Sequence, residues 1–168
     1  IAATDVEGLT NATPYSIAYA LEEEESEWIQ VGDDIDGEAE EDRSGRSISL
    51  SSDGSIVAIG AAYNDENGLS SGHVRIYQND NGTWTQIGDD IDGEATDDLS
   101  GWSLDLSDDG SIVAIGAIGF DGEDPESNIG YVRIYQNDNG TWTQIGDDID
   151  GEAEYDQSGY SVSLSSDG

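Results

Sequence analysis

In 168 residues the chain carries 39 Asp and Glu against four Arg, one His and no Lys, for a net charge of −35. That balance argues against nucleic acid as a partner, because phosphate binding needs a Lys/Arg surface that releases counterions, and it disfavours anionic membranes and membrane insertion. With no Cys and no Met, disulfides and Cys-based metal or nucleophile chemistry are excluded, and no apolar run reaches the length of a membrane span.

Residues 1–15, IAATDVEGLTNATPY, lack the basic and apolar regions of a signal peptide. Residues 16–32, SIAYALEEEESEWIQVG, align loosely with the last strand, turn and first strand of a repeat that fills the rest of the chain. Residues 1–27 are therefore assigned to the degenerate end of a preceding unit. Residues 74–95, VRIYQNDNGTWTQIGDDIDGEA, recur unchanged at 132–153, an offset of 58, and DGSIVAIGA at 53–61 recurs at 109–117, an offset of 56. The difference lies in one loop, where AYNDENGLSS becomes IGFDGEDPESNI. A length change confined there marks an exposed connection. Repeat 1 is assigned to 28–83, repeat 2 to 84–141, and a truncated third repeat to 142–168.

Four strands are expected per repeat. The first, TWTQIG at 83–88, is entered through Asn81-Gly82, a dipeptide that favours the tight hairpin turn with positive φ. In the second, GWSLDLS at 101–107, Trp102, Leu104 and Leu106 alternate with Ser and Asp, so one face is apolar. The third, SIVAIGA at 111–117, is apolar without alternation, as expected of a strand covered on both faces in the middle of its sheet. In the fourth, YVRIYQN at 131–137, Val132 and Ile134 share one face while Tyr131, Arg133 and Tyr135 share the other. Four antiparallel strands in under 60 residues, repeated with constant turns, is the size of a propeller blade, whereas β-solenoid coils are shorter. The expected fold is thus all-β, made of four-stranded antiparallel blades of a β-propeller, with an incomplete set of about 2.5 to 3 blades. Propellers close with about four to eight blades. These residues are accordingly expected to need further repeats of a longer chain, or copies of themselves, to cover their terminal faces.

The segments SGRSISLSSDGSIVAIGAA (44–62), SGWSLDLSDDGSIVAIGAI (100–118) and SGYSVSLSSDG (158–168) resemble the FG-GAP repeat of integrin α-subunit propellers and of secreted microbial and algal proteins. Ser-Gly stands where the family has Phe-Gly, and Gly-Ala-Ala or Gly-Ala-Ile where it has Gly-Ala-Pro. The resemblance implies an extracellular or cell-surface propeller used in adhesion or as a scaffold, often with calcium in its loops. In that family the calcium loop joins the two matched strands; here that turn is only Ser51-Ser52-Asp53-Gly54 or Ser107-Asp108-Asp109-Gly110.

A second cation candidate is the loop GDDIDGEAxxDxSG, which starts at Gly32, Gly88 and Gly146. Calcium takes six to eight oxygens, typically from closely spaced carboxylates around a Gly turn. Asp34, Asp36, Glu38 and Asp42 offer four, and Asp90, Asp92, Glu94 and Asp98, then Asp148, Asp150, Glu152 and Asp156, repeat them. Calcium bound there would stabilise the fold; the competing reading is a solvated acidic loop whose Asp and Gly serve turn geometry. The spacing is not that of an EF-hand. Every acidic pair recurs with the repeat, whereas hydrolysis of a glycoside needs a unique asymmetric pair. His73, the single His, aligns with Tyr131 and reads as structural. No catalytic residue is assigned, and a propeller hydrolase ranks below a lectin-like propeller binding surface glycans. For the latter, Trp102 and Tyr160 are the candidates for sugar stacking. Asn11, Asn81 and Asn139 lie in N-glycosylation sequons, the last two at expected hairpin tips.

Overall fold

In the computed structural model, residues 27–119 and 128–168 are described; the sequon at Asn11 and most of the segment assigned to a preceding unit lie outside them. The described residues are all-β. β1 (Ser47–Leu50), β2 (Ile56–Ala61), β3 (His73–Asp80), β4 (Thr83–Gln86) and β5 (Ile91–Asp92) form one antiparallel sheet. β6 (Ser103–Leu106), β7 (Ile112–Ala117), β8 (Tyr131–Asp138), β9 (Thr141–Gln144) and β10 (Ile149–Asp150) form the second. Each sheet runs in the order of its first four strands. The short last strand pairs with the same neighbour as the fourth, so β4 and β5 are two pieces of one edge along β3.

The register repeats with the sequence. Ser47 faces Gly60 and Ser103 faces Gly116; Tyr77 faces Gln86 and Tyr135 faces Gln144. As expected for the run SIVAIGA, β2 and β7 lie inside their sheets, each flanked on both sides, as β3 and β8 also are. The hairpins β3–β4 and β8–β9 turn through Asn81 (φ 52°) and Gly82 (φ 91°), and through Asn139 (φ 53°) and Gly140 (φ 91°). This is the type I′ geometry that the Asn-Gly dipeptide favours. The sheets run across the boundary at residues 83 and 84, because that hairpin holds β4 to β3.

The core lies between the sheets. Ala58, Val74, Ile76 and Ile91 of the first meet Leu104, Leu106, Val113 and Ile115 of the second. Each sheet thus has two distinct faces: one carries Ala58, Val74 and Ile76, or their equivalents, and the other carries Leu104, Leu106, Val113 and Ile115, or theirs. Backbones approach closely at the contact. A Cβ on Gly60 would lie 2.3 Å from the Gly101 carbonyl oxygen, and Ser47 Oγ donates to that same carbonyl at 2.7 Å. The pattern recurs one repeat on, where Ser103 Oγ donates to the Gly159 carbonyl at 2.7 Å and a Cβ on Gly116 would lie 2.1 Å from the same oxygen.

Two expected strands are not formed. Residues 27–32, aligned with TWTQIG, carry no strand, and Trp28 is 99% exposed where Trp84 and Trp142 are half-buried. The segment aligned with its hairpin partner lies outside the described residues. Residues 161–164, aligned with β1 and β6, carry no strand but lie against β6, the Leu164 N–H donating to Asp105 Oδ2 at 2.8 Å.

Candidate functional site

The acidic loop after β4 folds back over the sheet that follows it. Its backbone is held by positive φ at matching positions, Glu41, Asp97 and Tyr155 and then Arg43, Leu99 and Gln157, a costly conformation for residues with a Cβ. Asp98 Oδ2 accepts from the Glu94 and Ala95 N–H groups, each at 2.9 Å, and Asp156 Oδ2 does the same for Glu152 and Ala153 at 3.1 and 2.9 Å. These carboxylates are loop clamps. Asp98 also accepts the Tyr131 hydroxyl at 2.9 Å, and Asp42 accepts from Asn64 Nδ2 at 3.0 Å. Burial raises the pKa of Asp98 against the pull of these hydrogen bonds.

The remaining loop carboxylates divide by role. Asp34, Asp90 and Asp148 each accept from the Gln four residues earlier, at 2.9, 2.5 and 2.7 Å. Asp36 takes part through its carbonyl, which accepts from Arg75 Nη2 at 2.8 Å. Asp92 is partly buried with Oδ1 unpartnered, and Asp150 is exposed on β10. The four carboxylates proposed for one calcium therefore do not meet at one point. The clamp position engages Oδ2 with backbone N–H groups in Asp98 and Asp156 and with Asn64 in Asp42, and no three carboxylates of one loop come together among the described residues. The short turns at Ser51 and Ser107 are likewise closed on themselves: Asp53 accepts from Ser51 Oγ and the Ser55 N–H, and Asp109 from Ser107 Oγ and the Ser111 N–H.

Carboxylates of successive loops do meet, at the arginine of the fourth strand. Arg133, 7% exposed, lies 3.0 Å from Glu94 of one loop and 2.6 Å from Asp148 of the next. The hydrogen bond from Arg133 holds Asp148 below the usual carboxylate range. At the equivalent place in the first sheet, Arg75 pairs with Glu38 at 3.3 Å. Sequence reasoning placed Arg133 on a face opposite the apolar one. The structure buries the arginine on this face as well, because the acidic loop that precedes the first strand of each sheet covers it.

All four arginines stack on aromatic rings, Arg43 on Tyr63, Arg46 on Trp102, Arg75 on Tyr77 and Arg133 on Tyr131. Arg75 and Arg133 are buried in these contacts, whereas Arg43 and Arg46 stack on their rings at the surface. Trp102 has Arg46 3.8 Å above its ring, and the Tyr160 ring centroid lies 5.9 Å away. These three occupy one position in successive repeats and line a groove with Ile48 and Val162, in which Tyr160 is 60% exposed. A different cleft, of about 230 Å³, lies between Asp33, Asp34, Asp36, Tyr77 and Trp84, and its equivalent of about 240 Å³ lies between Asp89, Asp90, Asp92, Tyr135 and Trp142. The indole that walls each cleft also ties two repeats together. Trp84 Nε1 donates to the Val31 carbonyl at 3.0 Å and Trp142 Nε1 to that of Ile87 at 2.9 Å.

The class that this architecture defines is an all-β chain of tandem antiparallel sheets stacked face to face. No protein-family model matches the chain, and no curated protein matches it in sequence.

Proposed function

We propose that this chain is a run of blades from an FG-GAP-type β-propeller, a non-enzymatic extracellular module for adhesion or for building a surface appendage, filament or coat. The observation that carries this reading is the unequal cover of equivalent positions. Leu104 and Leu106 are 7% and 6% exposed beneath the first sheet, whereas their counterparts Ile48 and Leu50 are 60% and 56% exposed. On the opposite face, Val74 and Ile76 are buried while Val132 and Ile134 are only half-buried. Each exposed face is complementary to one that the chain itself presents, so further repeats or neighbouring copies are the partners it fits. The recurrence of every acidic pair supports a structural role for the carboxylates over a catalytic one.

Sedimentation velocity tests this. The 168-residue chain is expected to associate with rising concentration, and a variant carrying Ile48→Lys and Leu50→Lys to remain monomeric. A cooperatively folded monomer at micromolar concentration would overturn the proposal.

Asn81 and Asn139 are exposed at their hairpin tips, where a glycan meets no packed neighbour. Material secreted from a eukaryotic host is expected to carry glycans at both, seen as a mass loss on enzymatic deglycosylation. Unmodified peptides at both positions would count against extracellular placement.

A further inference from the structure

We propose that Glu38, Glu66, His73 and Asp90 form a binding site for a divalent first-row transition cation, with zinc as the probe. One donor atom from each lies within 4.8 Å of the other three, and this is the one such group of His, Asp and Glu among the described residues. Acidic side chains cluster on many surfaces; the imidazole is what distinguishes this group. His73 is 1% exposed and its Nδ1 is buried with no hydrogen-bond partner, 3.5 Å from Asp90 Oδ2 and 3.9 Å from Glu38 Oε2. An unpaired ring nitrogen at that depth is costly unless something takes up its lone pair or its proton. Zinc bonds of about 2.1 Å set a ligand–ligand edge of about 3.4 Å in a tetrahedron. The His73–Asp90 edge is already that length, and the exposed Glu38 and Glu66 have room to close the rest.

The second sheet shows what this pocket is when it is filled from within. There Tyr131 replaces His73 and its hydroxyl donates a hydrogen bond to Asp98, and Arg133 occupies the space between Glu94 and Asp148. In the first sheet the equivalent Arg75 is drawn to the Asp36 carbonyl and to Glu38, so no guanidinium neutralises Asp90. Glu38 and Asp90 match Glu94 and Asp148, but the guanidinium here keeps Glu38 and leaves Asp90, and an imidazole has been added. Glu66 joins them from the loop between β2 and β3, where Asn64 Oδ1 accepts its N–H at 2.9 Å. Nearby Asp92 also has its Oδ1 buried without a partner. The surplus of negative charge is met by a dication. One nitrogen and three carboxylates suit zinc or a neighbouring transition ion, whereas calcium takes oxygen alone.

Because His73 is the only His, its imidazole is a single reporter. With ¹⁵N-His-labelled protein in excess magnesium, which occupies exposed carboxylates, one equivalent of zinc is expected to move the imidazole resonances. In a cobalt titration, the visible absorption of a four- or five-coordinate ion is expected to saturate at one per chain. His73→Tyr installs the residue that the second sheet carries, and should lower zinc affinity by about 100-fold while leaving the fold intact; Glu66→Gln, on the surface, should lower it by about tenfold. Imidazole resonances unmoved by zinc, or stoichiometric affinity unchanged in H73Y, would overturn the assignment. If H73Y fails to fold, the His73 resonances in wild type and in E66Q decide alone.

Discussion

Replacing Gly60 with valine is expected to destabilise the chain by about 3 kcal/mol or more, at the upper end of overpacking costs, because the obstruction is backbone that cannot rotate away. A Cβ there would sit 2.3 Å from the Gly101 carbonyl oxygen and 2.4 Å from Ser47 Oγ, so the two sheets would have to separate. Separation would also break the Ser47–Gly101 hydrogen bond and open the core between Ala58, Ile76 and Leu104. The control is Gly82→Ala, where φ is 91° but nothing lies within 4 Å of the new Cβ. Only backbone strain acts there, at about 1 kcal/mol. Urea midpoints with a shared slope read both. A G60V midpoint no lower than that of G82A would show that the sheets do not pack as described.

The second large effect is electrostatic. Arg133→Leu removes the cation between Glu94 and Asp148 and should cost about 3 kcal/mol near neutral pH, the low end for a broken buried pair because Glu94 remains in water. The sign of its pH dependence follows from Asp148, whose pKa is lowered in the folded state by the Arg133 hydrogen bond. A depressed carboxylate contributes stability above its unfolded value, about 4, and loses it as pH falls through the folded value. The gap between wild type and R133L is therefore expected to be widest near neutrality and to narrow in acid. A gap that stays constant, or grows, on acidification would remove the Arg133–Asp148 pair from the account.

The strands were legible because they depend on neighbours in sequence. Alternation around Leu104 and Leu106, the unbroken apolar run at Ile112, and Asn-Gly before Thr83 each act over a few residues. What lies across repeats was not legible. Asp34, Asp36, Glu38 and Asp42 are close in the chain, and spacing suggested one shared ion. Asp42 turns inward to Asn64, while Glu38 comes together with Glu66, between β2 and β3, and Asp90, between β4 and β5. The burial of Arg75 and Arg133 was hidden for the same reason, since the loop that covers each lies 39 residues upstream. His73 did leave a signal: it stands where the other full repeat has Tyr131, beside carboxylates that recur. An alignment of repeats reports that change as a loss of similarity rather than a gain of chemistry.

The seam between the sheets also bears on how such a chain could change length over time. Ser47 and Ser103 meet the carbonyls of Gly101 and Gly159 in the same way, and the backbone bonds Ser52 N–H to Asp108 and Asp108 N–H to Ser166 carry one turn onto the next. The joint between neighbours is thus a copy of itself. A recombination event that duplicates or excises one period within the identical 22-residue stretches would therefore reproduce an existing junction, with nothing new to optimise. Tracts of unchanged sequence are also where misaligned exchange starts most readily. Architecture and inheritance would then favour the same outcome, a family of arrays that differ in count while each joint stays constant.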